Sequence, residues 1–146
     1  MKKTEIEKYI NLPPEERDFS LLLRYVLFSD IFSSDKSKIL YYYGKEIANN
    51  FEFSQIEDIL NFFSEIGFGK INLVKVKKNA YLFEFLGNQV DKRFYVDKKP
   101  EFSLETGFLA QAMSLVINCP AEGQFKINRN KKLISVLIQT IPNKKT

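Results

Sequence analysis

The chain of 146 residues contains no histidine, no tryptophan, a single cysteine and two methionines. Without histidine it can build no Ser-His-Asp or Cys-His nucleophile system, no imidazole-ligated zinc and no proximal-histidine haem. The lone Cys119 excludes an internal disulfide and any cysteine-only zinc or iron–sulfur site within one chain. It fits a reducing, cytoplasmic setting. No apolar run reaches the roughly 20 residues of a membrane span. The start, Met1-Lys2-Lys3-Thr4-Glu5, is charged with no apolar segment behind it, unlike a secretory signal. There is no P-loop and no GxGxxG; Gly67 and Gly69 are too close together to cradle a phosphate and read as a helix cap and a turn. Carboxylates, lysines, tyrosines and hydroxyls are what remain for chemistry.

What is present is apolar and aromatic: 45% hydrophobic residues, with 14 Phe and 7 Tyr, a composition for one aromatic-rich core. Charge is divided unevenly. Residues 1–69 hold 8 Lys and Arg against 12 Asp and Glu, whereas residues 70–146 hold 14 against 6. A one-sided basic field can steer an anionic partner; the alternative is that these lysines sit at strand edges and turns for solubility.

The polar segment 1–18, with Pro13-Pro14, reads as a flexible arm, residues 19–142 as one domain, and residues 143–146 as a basic tail. From Leu21 to Phe32 apolar residues occupy two faces of a helix, one of them carrying Leu23, Leu27 and Ile31. That second face meets a partner chain, giving a homodimer, or belongs to a central core helix. A second helix is expected over Lys36–Phe51, with Ile39, Leu40, Tyr43, Ile47 and Phe51 in its buried stripe and Gly44 on the flank. Tyr41 and Tyr42 are then the tyrosines able to present hydroxyls to a groove. Ser54 and Glu57 predict a capping box for a third helix that ends at Gly67. Strands follow at Ile71–Val76 and Tyr81–Leu86, with a turn at Lys77-Lys78-Asn79, and a short third strand at Arg93–Val96. Ser103 is expected to cap a last helix, uncharged from Thr106 to Asn118 and therefore buried. Leu104, Phe108, Ala112 and Leu115 should face the sheet, and Gly107, Gln111 and Ser114 form a small seam behind it. A closing hairpin spans Ala121–Ile127 and Leu133–Ile141. The class is α+β: three N-terminal helices and one buried later helix on an antiparallel sheet of about five strands.

Two stretches carry a glycine within an amphipathic helix, Ile39-Leu40-Tyr41-Tyr42-Tyr43-Gly44-Lys45 and Leu104-Glu105-Thr106-Gly107-Phe108-Leu109-Ala110. A helix glycine costs about 0.5–1 kcal/mol relative to alanine, which implies very close packing at each. With Arg24–Lys45 and Phe62–Leu73, these words resemble the YslB-like family of small bacterial proteins, over roughly residues 19–141. That resemblance implies the fold shared by haem-dependent nitric-oxide sensors, four-vinyl-reductase domains and TRAPP transport subunits. In this fold an apolar ligand can lie between helices and sheet, and early helices commonly dimerise. The chain lacks the haem-ligating histidine of the sensors, so no haem is expected. Cys119 and Gly123 match the start of a Cys-x-x-x-Gly-x-x-x-Cys run, but Ile127 replaces its second cysteine, so no metal site is expected either.

The expected function is a cytoplasmic, dimeric binding or regulatory module rather than an enzyme. Its pocket for an apolar small molecule would be lined by Tyr43, Gly44, Phe63, Phe83, Phe85, Glu105, Gly107, Phe108 and Ala112. Glu105 either meets a ligand there or merely complements the helix dipole. Lys45, beside Tyr41 and Tyr42, forms an anion site or pairs with a nearby acid. One alternative function is a basic-faced adaptor for an acidic protein or nucleic acid; another is an enzyme with Glu105 and a tyrosine hydroxyl as acid and base, against which stand the missing histidine and the lack of paired carboxylates in one groove. No RNP-type segment or arginine-rich helix supports nucleic acid.

Overall fold

A computed structural model describes residue 7 and residues 10–17, 35–97 and 99–141. The candidate dimer seam at Leu23, Leu27 and Ile31 lies outside the described residues. Helix α1 spans Lys36–Ala48 and α2 Ile56–Glu65. Strands β1 (Lys70–Lys77) and β2 (Ala80–Leu86) follow, then α3 (Asn88–Val96) and α4 (Ser103–Ile117). A final hairpin pairs β3 (Ala121–Asn128) with β4 (Leu133–Thr140). The four strands form one antiparallel sheet in the order β1-β2-β4-β3.

Both hairpins follow from alternation. Phe83 and Phe85 of β2 pair with Val136 and Ile134 of β4, all buried on one face. The β1–β2 turn is closed by Asn79 in the left-handed region, φ 63°, which asparagine tolerates better than most residues. Helix α4 lies on the inner sheet face, mainly over β3, with Thr106, Gly107, Phe108, Leu109, Ala110, Ala112 and Met113 buried. The expected burial of this uncharged helix therefore holds for most of its length. Leu104, Gln111, Ser114, Val116 and Ile117 are half-buried, and Leu115 and Asn118 are exposed at the helix end.

Helix α1 crosses α4 on the side away from the sheet, and the two glycines set how closely. A Cβ on Gly44 would strike the Leu104 carbonyl oxygen, and one on Gly107 the Tyr41 carbonyl oxygen. Each glycine thus receives the backbone of the other helix. Gln111, in the small seam, donates to Asn49 Oδ1 at 2.9 Å across the same crossing.

Several expectations are corrected. Among the described residues the sheet has four strands, because Arg93–Val96 belongs to α3 and not to a strand. Gly87, at φ 112°, turns the chain out of β2, and Asp91 N donates to Gly87 O to begin the helix. Val90, Arg93 and Val96 then bury one helical face, and that burial overrides the β preference of Phe-Tyr-Val. Helix α1 ends at Ala48, not Phe51, where Asn50 Nδ2 bonds the Glu46 and Ile47 carbonyls. Its buried stripe is Leu40, Gly44 and Ala48; Tyr43 is 62% exposed and Ile39 40%. The box at the start of α2 is shifted by one residue: Asp58 Oδ2 accepts from the amides of Ser54 and Gln55. Ser103 is the first residue of α4 rather than its cap, and its amide donates to Glu101 Oε1 at 2.6 Å. In the arm, Leu12 is buried, Pro14–Glu16 form a 3-10 turn, and Arg17 bonds the carbonyls of Ile10 and Leu12.

Candidate functional site

Of the residues assigned to an interior pocket, Phe63, Phe83, Phe85, Phe108 and Ala112 gather as packed core, Gly44 and Gly107 lie in the α1–α4 crossing, and Tyr43 stands on the outer side of α1. Phe108 stands at the centre of an aromatic chain. It stacks on Phe62 at 5.2 Å and meets Phe63 edge-on at 5.4 Å, and Phe63 reaches Phe85 at 6.0 Å. Phe51 and Phe53 extend the chain outward to the surface. Phe83, Phe85 and Ala112 are fully buried.

Glu105 is buried, as one reading of the sequence required, but it faces a cation of its own chain. Arg93 of α3 forms an ion pair with it at 2.7 Å. The guanidinium lies 4.4 Å from the Phe102 ring centre and 5.6 Å from that of Phe68. Aromatic faces carry partial negative charge, so this is a desolvated cation held by a carboxylate and two rings. Near it Ser37 donates to Glu101 Oε2 at 2.6 Å, tying the start of α1 to the start of α4.

The polar groups that converge at a surface opening lie elsewhere, where α1, α4 and the edge strand β3 meet. Tyr41 Oη donates to Glu122 Oε1 at 2.8 Å and accepts from the Gly123 amide at 2.9 Å. Lys45 Nζ donates to the same Glu122 oxygen at 2.6 Å. Lys45 therefore pairs with an acid, one 77 residues away in sequence. Gly123 packs closely here: a Cβ would stand 2.7 Å from Ile138 Cδ1 and 3.0 Å from Thr106 Cγ2, so those side chains would have to shift. Beside this network opens a groove of about 360 Å³. Ser37, Lys38, Tyr41 and Tyr42 form one wall; Ser103 and Thr106 form the floor, and Gly123, Gln124 and Phe125 the other wall.

The electrostatics fix protonation. Burial pushes the Tyr41 phenol up to about 12; the Gly123 amide pulls the other way, and the Glu122 carboxylate adds to the rise. Partial burial alone would raise the Glu122 carboxyl. Hydrogen bonds from Lys45 and Tyr41, with the lysine charge, outweigh it and hold the group below its ordinary 4.5. At neutral pH the site therefore presents a phenol and a carboxylate already saturated by a lysine.

Of these groups the sequence pointed to Tyr41, Tyr42 and Lys45 but not to Glu122, Gly123 or Phe125. Alternation along β3 was the available signal, because it places Gly123 and Phe125 on the helix-facing side and Glu122 on the other. Among the described residues, no group of three or more His, Cys, Asp or Glu is arranged to hold a metal ion, and no helix is long and apolar enough to cross a membrane.

Residues 19–139 match the family described as "Protein of unknown function (DUF2507)". The chain is 32% identical over 117 residues to the uncharacterized protein YslB of Bacillus subtilis, covering 79% of each chain. A vinyl-4-reductase family protein of Methanocaldococcus jannaschii superposes with a TM-score of 0.65 at 19% identity, over 95% of this chain and 88% of that one. The phenol-responsive sensory domain of the transcription activator PoxR superposes with a TM-score of 0.59 at 12% identity, over 96% and 92%. At these identities the two structures establish the fold alone.

Proposed function

Because the chain belongs to the DUF2507 family, whose name assigns no activity, we propose from its own residues that it is a regulatory module binding an apolar small molecule between helices and sheet. The observation that carries this reading is the groove at the α1–α4–β3 junction. Its volume of about 360 Å³ falls in the range of small-ligand sites, and its lining sets tyrosine and phenylalanine rings beside the hydroxyl oxygens of Ser37 and Thr106, which are free to accept. A ring-sized ligand with one polar substituent suits it, the ring against Tyr42 and Phe125 and the substituent toward Ser37 or Thr106. The phenol-responsive domain of like fold lends support by analogy.

Binding rather than catalysis is the reading these groups support. A phenol near 12 keeps its proton at neutral pH, and Glu122 is held by Lys45, so neither is poised as a general base. Glu105 is engaged by Arg93 inside the fold. The module acts without haem or metal, in the cytoplasm, and as a homodimer through Leu23, Leu27 and Ile31.

Native mass spectrometry of protein purified from cells tests the reading. A bound adduct is expected, and it should be lost in Lys38→Trp, which fills the groove from an exposed helix position. Bare polypeptide mass in the parent protein, or an adduct indifferent to Lys38→Trp, would overturn the groove assignment. Sedimentation of Leu27→Glu checks the dimer separately: a monomer is expected, and an unchanged mass removes the seam.

A further inference from the structure

The edge strand β3 has backbone groups that the sheet does not use, and their direction can be worked out twice. Ile141 N donates to Pro120 O, and Thr140 N to Asn79 O beside β2, so odd-numbered residues of β4 point their amides toward β3. In the register Glu122↔Gln139, Gln124↔Leu137 and Lys126↔Ser135, the even-numbered residues of β3 therefore exchange the ladder bonds. Gly123, Phe125 and Ile127 must point outward. The Gly123 amide confirms this independently, since it leaves the sheet to reach Tyr41 Oη. At Gly123 helix α1 closes the edge. Among the described residues, the amides of Phe125 and Ile127 meet no acceptor beyond the sheet.

We propose that the run Phe125–Asn128 accepts an extended acidic peptide as an additional strand. Such addition takes its affinity from main-chain hydrogen bonds and its preference from flanking side chains. Both flanks here are concave, and the one toward the hairpin tip is the more basic. On one side lies the groove that includes Lys38; on the other, a depression of about 380 Å³ lined by Lys126, Asn128, Arg129 and Asn130. Lys131 and Lys132 complete the hairpin tip, and Glu122, the one acid of this hairpin, is neutralised by Lys45. A second copy is disfavoured as the occupant, because antiparallel pairing of two β3 edges would bring the Lys126 regions together. A polyanion such as nucleic acid would meet the charge but could not use the alternating backbone donors and acceptors. The strand site adjoins the small-molecule groove and shares Phe125 with its rim, but its main-chain contacts do not depend on that groove holding a ligand.

The test uses the full chain and a short capped peptide of alternating glutamate and valine. Amide exchange followed by NMR should slow for Phe125 and Ile127 by roughly tenfold or more at saturation, while the ladder amides of Gln124 and Lys126 stay as they were. The same peptide N-methylated at alternate residues should not bind. Lys126→Glu with Arg129→Glu should weaken binding by roughly tenfold. Unchanged exchange at Phe125 and Ile127, or equal binding of the N-methylated peptide, overturns the proposal. So would displacement by an oligonucleotide that leaves those amides unprotected, or protection already present in a self-associated species without peptide.

Discussion

The α3–α4 junction and the α1–β3 junction use the same pairing of carboxylate and cation, and their surroundings make them different devices. At the first, Arg93 and Glu105 are both nearly withdrawn from water and boxed by Phe68 and Phe102. At the second, the Glu122 side chain is 52% exposed and shares one oxygen between Lys45 and Tyr41. A desolvated pair is costly to disturb because the surviving partner is stranded, whereas a wetted pair can be opened at small cost. The fold is therefore locked at one junction and adjustable at the other, and the adjustable one adjoins the groove and the open strand edge.

The contrast can be broken first at the locked junction. Glu105→Gln leaves the Arg93 charge buried and should destabilise by about 3–5 kcal/mol in chemical denaturation. The double change to Glu105→Leu and Arg93→Met should recover most of that. If the single change costs less than the wetted pair does, the comparison fails. Next comes the crossing between the junctions. Gly107→Ala should cost about 2–3 kcal/mol, because the added methyl meets the Tyr41 backbone and its helix-propensity gain of about 1 kcal/mol does not compensate. At the adjustable junction, Tyr41→Phe should cost about 1 kcal/mol, the value of the lost Gly123 and Glu122 bonds in a half-exposed setting.

The smallest effect is read in pH. Tyr41 is protonated more strongly when folded than its ordinary 10.0, so its contribution is complete below that value and is lost as pH rises toward 12. Glu122 works in the opposite sense. Its folded value lies below 4.5, so its contribution is present above that and fades as the solution is acidified. Thermal melts should show a shallower alkaline limb in Tyr41→Phe and a shallower acid limb in Glu122→Gln.

Much of this architecture was legible from residue patterns. The two hairpins were readable because period-two alternation and asparagine-bearing turns are local signals. The close helix crossing was readable because Gly44 and Gly107 break the economics of an otherwise good helix. The phase of α1 is harder to read: its buried stripe of Leu40, Gly44 and Ala48 is weakly hydrophobic, while Ile39 and Tyr43, both exposed, extend a more apolar stripe whose member Ile47 alone packs on the core. Arg93–Val96 looked like a strand because local β preference was the visible signal and the tertiary burial of Val90 and Val96 was not. The pairs Arg93–Glu105 and Lys45–Glu122 join distant elements, so one chain's spacing could not reveal them.

The two margins of the sheet differ in a way that bears on assembly. Along β1 the register shifts between Leu73 and Lys75, and Lys70, Lys75 and Lys77 are exposed on that strand. A kinked, lysine-studded border resists templating by a neighbour. Backbone pairing is thereby discouraged along β1 and left to the border formed by β3.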